Sequence, residues 1–113
     1  CDGHFHVVGE VNRQAVTFLV DTGASLVSLS AADAERLGLD YRKGQPGHVS
    51  TANGVIPAWR ITLGSVQVGD VVVYNVDSLV SAGSMPYVLL GNSFLSRFQM
   101  TRTNDQLVLE KRN

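Results

Sequence analysis

One stretch, residues 18–25, constrains the fold more than any other. An apolar run that begins at Phe18 leads directly into Asp21, Thr22 and Gly23. A carboxylate at the end of a buried strand is costly to hide unless it is hydrogen-bonded or needed for chemistry. Thr22 can lock a turn through its hydroxyl, and Gly23 permits a sharp reversal where a side chain would clash. The sequence therefore predicts a strand that delivers a carboxylate into a tight loop.

Length and composition favour one compact domain over residues 1–113. The chain has 113 residues, is 44% hydrophobic and carries a formal net charge of −1. Its charges are scattered, which argues against a nucleic-acid-binding surface, and it has no apolar run long enough to span a membrane. The single cysteine, Cys1, excludes an intramolecular disulfide. Because the chain does not begin with Met, we expect a piece or a processed form of a longer protein.

A hairpin and a helix frame the acidic loop. Alternating apolar residues predict strands over residues 5–11 and 14–20, so the second strand delivers the carboxylate. After a short strand over residues 26–29, Ser30 and Asp33 form a capping-box pattern, which predicts a helix over residues 31–37. We interpret this helix as scaffold.

A second hairpin is predicted over residues 48–61, with Ala52, Asn53 and Gly54 at its tip. Asn-Gly is the strongest short signal for a hairpin turn. Pro57 fits an edge or exposed strand better than a central one, since it has no N–H to donate. Such a hairpin can serve as a mobile flap or as an ordinary surface hairpin.

The rest of the chain reads as short strands and a second short helix. A Val-Val-Val run at residues 71–73 favours a strand buried on both faces. Asn92 or Ser93 is placed to cap a helix that extends to Phe98. The remaining predicted segments are strands over residues 61–68, 71–76, 87–90, 99–103 and 106–111, loops over 41–46 and 77–86, and a turn at Asn104–Asp105. Together they predict an all-β, barrel-like fold with two short helices.

The residues at 18–25 resemble the active-site loop of aspartic proteases. The form with Ala24 is most similar to the retroviral-type branch, the retropepsins. Residues 88–92 (Val-Leu-Leu-Gly-Asn) and the run at 93–98 resemble the hydrophobic-hydrophobic-glycine motif and short helix of that fold. The resemblance covers residues 3–111. In detail it is closest to a bacterial group of retropepsin-like proteases, through residues 2–5, 18–25, 50–54 and 89–95.

The resemblance implies a single-lobe retropepsin barrel and a set of site residues. It implies that Asp21 is catalytic, and that no metal or organic cofactor takes part. The residues that would support the active-site loop are Thr22, Gly23, Ala24 and Ser25. The flap tip would be formed by Ala52, Asn53, Gly54 and Val55. The motif that braces the loop would be Leu89, Leu90 and Gly91.

A single Asp-Thr-Gly predicts a homodimer. The chemistry of aspartic proteases needs two carboxylates that share one proton. The sequence at residues 77–79 lacks the glycine, so the second carboxylate would be Asp21 of a symmetry mate, with Thr22 bracing the paired loops. In retroviral relatives, strands from the chain termini seal the dimer. Residues 107–109 are suited either to that role or to a closing strand within the chain.

Ala24 bears on the acidity of the site. Many two-lobed relatives carry Ser or Thr at this position, where the hydroxyl bonds the catalytic carboxylate. Because hydrogen bonding to the charged form of a carboxyl lowers its pKa, the loss of this bond predicts a mildly acidic optimum rather than a strongly acidic one.

Two functional hypotheses follow. The first is an aspartic endopeptidase that cleaves extended polypeptides bound by strand addition. The second is a retropepsin-fold module for peptide binding or dimerisation with little or no catalysis. Related bacterial proteins suggest attachment to a membrane through an upstream anchor, facing the periplasm. His4 and His6 lack a third metal ligand nearby, and Ser25 lacks the Gly-x-Ser-x-Gly setting of a nucleophile.

Overall fold

The computed structural model describes residues 5–103 and 106–111. Within them lie nine strands, two short α-helices and one 3₁₀ turn. The strands are β1 Phe5–Val11, β2 Gln14–Val20, β3 Val27–Ser30, β4 Gln45–Thr51, β5 Gly54–Val68, β6 Val71–Ser81, β7 Val88–Leu90, β8 Phe98–Thr103 and β9 Gln106–Lys111. The helices are α1 Ala31–Arg36 and α2 Asn92–Leu95, and the 3₁₀ turn is Tyr41–Lys43. The predicted turn at Asn104–Asp105 lies outside the described residues.

Six of the strands close into a barrel. The order is β1-β2-β7-β3-β6-β5, and β5 returns to β1 through pairs such as Val11 with Val66. Strand β4 lies outside this ring, paired only with β5 in the described sheet. The two internal pairings β2–β7 and β3–β6 are parallel, and the others are antiparallel. The predicted all-β barrel with two short helices is confirmed.

The core follows from the alternation of side chains along these strands. Apolar residues on the inner face are almost fully buried, and α2 closes the barrel with Phe94, whose ring lies 5.1 Å from that of Phe98. The largest fully buried side chains are Phe18, Phe94, Leu29, Leu63 and Leu90.

Strand β5 corrects two predicted boundaries. It runs unbroken for 15 residues, whereas a division was predicted at residue 61. Along one edge, β5 pairs first with β4 and then with β1, so two segments that looked separate share one strand. Its partner β6 extends to Ser81, into the region predicted as a loop over residues 77–86. Val72 is 37% exposed, so the prediction that residues 71–73 are buried on both faces was wrong.

The first helix largely matches its prediction. It begins at Ala31 as predicted and ends one residue early, and the hydroxyl of Ser30 accepts the N–H of Asp33 at 3.1 Å. The side chain of Asp33 pairs instead with Arg36. The predicted loop over residues 41–46 contains the 3₁₀ turn and the start of β4.

The last two described strands form a separate two-stranded sheet. Met100 of β8 lies opposite Leu109 of β9. Residues 107–109 therefore pair within the chain along one edge. No helix in the described part of the chain is long and apolar enough to cross a membrane.

Candidate active site

The loop after β2 holds its carboxylate at the surface of the barrel. Asp21 continues the β2–β7 pairing, since its N–H donates to the carbonyl oxygen of Leu90 at 3.2 Å. Its Oδ1 accepts the N–H of Gly23 at 2.9 Å, and its carbonyl oxygen accepts the N–H of Ala24 at 3.1 Å. The side chain is half-buried rather than sealed. The loop is thus tight, and its acid remains accessible.

Gly91 allows β7 to end directly against this loop. A Cβ atom at Gly91 would overlap the carbonyl oxygen of Leu26 and lie 2.7 Å from that of Ala24. No other residue type fits without moving the backbone, because real Cβ atoms essentially never approach so closely. The glycine of the second motif therefore fixes how closely the two loops approach.

Backbone hydrogen bonds join the Asp-Thr-Gly loop to the start of α2. The N–H of Asn92 donates to Ala24 at 2.9 Å, and the N–H of Ser93 donates to Ser25 at 2.8 Å. Both acceptors are carbonyl oxygens of the acidic loop. Ser25 therefore meets the second motif through its backbone, while its own side chain is exposed.

The prediction that Asn92 or Ser93 caps α2 was wrong. Gly91 is the N-cap of α2, and no side chain caps it. The amide of Asn92 instead donates to the carbonyl oxygen of Thr22 at 2.9 Å, and the hydroxyl of Ser93 accepts the N–H of Val27 at 2.9 Å. In the sequence, the roles of Asn92 and Ser93 at the acidic loop were indicated only by their position directly after the hydrophobic-hydrophobic-glycine motif.

Thr22 presents its side chain to solvent. Its hydroxyl has no hydrogen bond within the part of the chain that the structure describes. Among the described residues, Thr22 is engaged through its carbonyl oxygen, which accepts the side-chain amide of Asn92.

Asp21 shares its sheet face with a row of side chains that crosses all seven strands of the sheet. Leu19 lies two residues before Asp21 and so points to the same side. Each member of the row lies opposite the next by strand pairing: His6, Leu19, Leu89, Ser28, Leu79, Arg60 and Gln45. These residues are half-buried or exposed, whereas their sequence neighbours in β2, β3 and β7 point into the core. We call this row the Asp21 face; it is apolar at its centre and polar at both ends.

The tip of the β4–β5 hairpin is closed by one side chain. The hydroxyl of Thr51 donates to the carbonyl oxygen of Gly54 at 2.7 Å and accepts the N–H of Asn53 at 3.2 Å. Gly54 has a φ of +115°, which L side chains rarely adopt. Ala52 is exposed, and Val55 is 65% exposed. The turn falls where Asn-Gly predicted it.

A loop after β6 packs against the base of this hairpin. The N–H of Ala82 donates to the carbonyl oxygen of Pro57 at 3.0 Å. A Cβ atom at Gly83 would lie 2.9 Å from Cδ1 of Ile56, so the glycine permits close packing. Pro57 is exposed as predicted, although β5 has neighbours on both sides rather than forming an edge.

The residues considered for a metal do not assemble in the described structure. No group of three His, Cys, Asp or Glu side chains that could hold a metal occurs among residues 5–103 and 106–111. The ring of His6 meets that of Tyr87 edge-on, with the centroids 4.5 Å apart. His4 and Cys1 lie outside the described residues.

Comparison with known proteins places this geometry in a family. Residues 7–97 match the model of the family described as "gag-polyprotein putative aspartyl protease". An uncharacterized protein of Rickettsia prowazekii is 38% identical over 109 residues, which cover 96% of this chain and 47% of that protein. The chain spans less than half the length of the curated relatives that it matches.

Solved structures agree with this assignment. The crystal structure of a retropepsin-like aspartic protease from Rickettsia conorii is 39% identical, with a TM-score of 0.80, covering 96% of this chain and 90% of that one. EIAV protease in complex with an inhibitor shares the fold at 21% identity and a TM-score of 0.67, covering 84% of this chain and 88% of the viral one. The chain belongs to the retropepsin-like aspartic protease family.

Proposed function

We propose that the chain is an aspartic endopeptidase whose two catalytic carboxylates are supplied by Asp21 of two identical subunits. One observation carries the proposal. Asp21 lies accessible in a loop held by hydrogen bonds on both flanks, with one carboxylate oxygen bonded to Gly23 and the other free within the described structure. A carboxylate fixed in this way and still open to solvent is suited to chemistry rather than to packing.

Thr22 supports the dimeric arrangement. The sequence contains Asp-Thr-Gly once, so one chain cannot supply a pair of such carboxylates. The exposed hydroxyl of Thr22 lies beside Asp21 and lacks a partner among the described residues, as expected for a group that bonds across a two-fold axis. Gly23 has no side chain to hinder the approach of the two loops.

The proposed reaction follows from two acids that share a proton. Two carboxyl groups about 3 Å apart cannot both ionise, and aspartic proteases are the standard example of such a pair. The ionised Asp21 takes a proton from water as the water oxygen attacks the scissile carbonyl. The protonated Asp21 donates its proton to the carbonyl oxygen. The tetrahedral intermediate, a gem-diol, then collapses. The Asp21 that took the proton from water donates it to the leaving nitrogen as the C–N bond breaks, and the other Asp21 takes a proton from one hydroxyl, which restores the shared proton of the pair.

The substrate would be an extended polypeptide held between the Asp21 face and the β4–β5 hairpin, acting as a flap. Leu19, Leu89 and Leu79 give that face a half-exposed apolar centre, which suits apolar side chains near the cut. The flap tip would supply backbone hydrogen bonds, the usual source of affinity in strand addition. No bound cofactor enters this scheme.

The test is peptide cleavage from pH 4 to 7 over a series of protein concentrations, with Asp21→Asn as the control. We expect cleavage that the substitution abolishes, and a specific activity that rises with concentration as dimers form. Sedimentation at the same concentrations measures the dimer directly. Cleavage that persists in Asp21→Asn would refute the proposal. Binding of peptides by a dimer without any cleavage would favour the alternative, a peptide-binding module of the same fold.

A further inference from the structure

The Asp21 face ends in a charged cavity at the base of the hairpin. Arg60 lies opposite Leu79 on one side and Gln45 on the other. A cavity of about 250 Å³ opens at this place. Its lining includes Gln45, Gly47, His48, Ala58, Arg60 and Leu79.

The charge in this cavity is positive. Among the described residues that line it, Arg60 carries the formal charge, and none is an acid. Asp77 contacts the guanidinium of Arg60 at 3.4 Å, but it is not among the lining residues. A guanidinium has five N–H donors, and Asp77 is the one described partner of this side chain, so donors remain for a second carboxylate. About half of the Arg60 side chain is exposed and can be reached.

The cavity lies within reach of a peptide bound at Asp21. Four strand spacings of roughly 4.8 Å separate β2 from β5, so the path across the sheet from Leu19, two residues before Asp21, to Arg60 is about 19 Å. An extended peptide advances about 3.3 Å per residue and covers this path in about six residues. A side chain up to about six residues from the scissile bond would therefore reach Arg60, after the apolar centre of the face.

We propose that Arg60 is a specificity-determining residue that selects substrates with Asp or Glu a few residues from the cleavage site. This inference rests on the proposed peptidase function and adds a substrate class to it: peptides with an apolar centre and an acid towards either end, since a two-fold dimer carries two copies of Arg60. The substrate carboxylate would compete with Asp77 for the guanidinium. Competition from Asp77 thus weakens the preference of Arg60 for a substrate carboxylate.

The probe is a set of dodecapeptides with a central Leu-Leu pair in an alanine background, in which Glu or Gln occupies one position at a time. Cleavage is measured by mass spectrometry. A two-fold dimer carries Arg60 on both sides of the cut. At one or two adjacent positions on each side, we expect the Glu peptide to be cleaved about three- to tenfold better than its Gln match, the range of a partly exposed charge-assisted contact. Arg60→Gln should bring this ratio to about one, and Asp77→Asn should raise it.

A matched control separates charge from a general effect of losing an ion pair. Arg36→Gln also removes an exposed arginine that pairs with an aspartate, at 3.5 Å. The Glu-to-Gln ratio should be unchanged in this variant. Equal ratios in the parent and in Arg60→Gln, or no position that favours Glu, would overturn the inference even if cleavage is normal.

Binding of the same peptides keeps the two proposals separate. Fluorescence anisotropy with Asp21→Asn measures affinity without turnover. If the parent cleaves nothing but Glu peptides still bind more tightly than Gln peptides in an Arg60-dependent way, the peptidase proposal fails and the acid-selective site stands. If peptides are cleaved or bound without any dependence on Arg60, the acid-selective site fails.

Discussion

The side-chain amide of Asn92 donates a 2.9 Å hydrogen bond to the carbonyl oxygen of Thr22, across 70 positions of sequence. It ties the first turn of α2 to the loop that carries Asp21. Together with the backbone bonds from the same turn to Ala24 and Ser25, it holds the loop against α2. The side chain of Thr22 itself is exposed.

Replacement of Asn92 should impair catalysis more than folding. In Asn92→Ala the loop loses one exposed hydrogen bond, so the free energy of unfolding should fall by only about 0.5–1.5 kcal/mol. The value of kcat/KM should fall by about tenfold or more, because small displacements of a reacting group are costly. Asn92→Asp keeps the shape but cannot donate when ionised, and it should be no better than alanine. An Asn92→Asp variant with parental kcat/KM would show that this bond does not position the loop.

Gly91→Ala should be among the most damaging single substitutions. The added methyl would overlap the carbonyl oxygen of Leu26, a backbone group that cannot move aside. We expect a loss of about 3 kcal/mol or more in the free energy of unfolding, measured by urea denaturation. Gly47→Ala is the matched control, since nothing lies within 4 Å of its added Cβ, and it should stay within about 0.5 kcal/mol of the parent. Similar effects at both positions would contradict the tight approach at Gly91.

Ser93→Ala tests a buried hydrogen bond. Val27 is fully buried, and its N–H donates to the hydroxyl of Ser93. Without the hydroxyl this donor is unsatisfied, which costs about 1–3 kcal/mol of stability. Ser96 is the C-cap of the same helix, is exposed, and makes no side-chain hydrogen bond in the described structure. Ser96→Ala should therefore unfold at the same urea concentration as the parent, and Ser93→Ala clearly earlier.

Thr51→Val tests whether the hairpin tip acts as a flap. The change removes both hydrogen bonds of the hydroxyl at an exposed turn, so global stability should change by about 1 kcal/mol or less. If the tip closes over the substrate, kcat/KM should fall about threefold to tenfold, because the turn loses its fixed shape. Thr51→Ser keeps the hydroxyl and should restore most of the activity. Unchanged peptide kinetics in Thr51→Val would argue against a flap.

The raised pKa of Tyr41 predicts a loss of stability at alkaline pH. Burial raises the pKa of its phenol above the ordinary value of 10.0, Arg42 opposes this, and the hydrogen bond to Glu35 adds to it. The unfolded chain therefore ionises Tyr41 first, so this contribution is complete below pH 10 and declines as the pH rises above it. Between pH 10 and 11 the parent should lose more stability in urea than Tyr41→Phe. Equal losses in the two proteins would contradict the raised pKa.

Local patterns were sufficient where a segment pairs with its neighbour in sequence. The first hairpin, Phe5–Val11 with Gln14–Val20, has the predicted boundaries, and the Ser30 cap bonds as predicted. The hairpin turn at Ala52 and Asn53 also matches. In each case the turn or cap residues lie within a few positions of the groups that they bond.

Long-range pairing could not be predicted in this way. Nothing local indicates that β5 runs unbroken through Ile61, because its partner along one edge changes from β4 to β1, while β6 pairs with it along the other. Asn92 and Ser93 have the side chains of good helix caps, yet both bond residues about 70 positions away. The Asp21 face could not be foreseen either, since its members come from seven strands.

Because β5 is unbroken, the same strand forms one side of the hairpin and part of the barrel wall. The hairpin tip should tolerate inserted residues, and the barrel wall should not. A single residue inserted between Trp59 and Leu63 would break the alternation that turns both of these side chains towards the core. At the turn between Thr51 and Gly54, an insertion changes only how far the hairpin reaches. Natural variation in length thus has room at the tip and none along the wall, so the reach of this hairpin can evolve while the barrel stays the same.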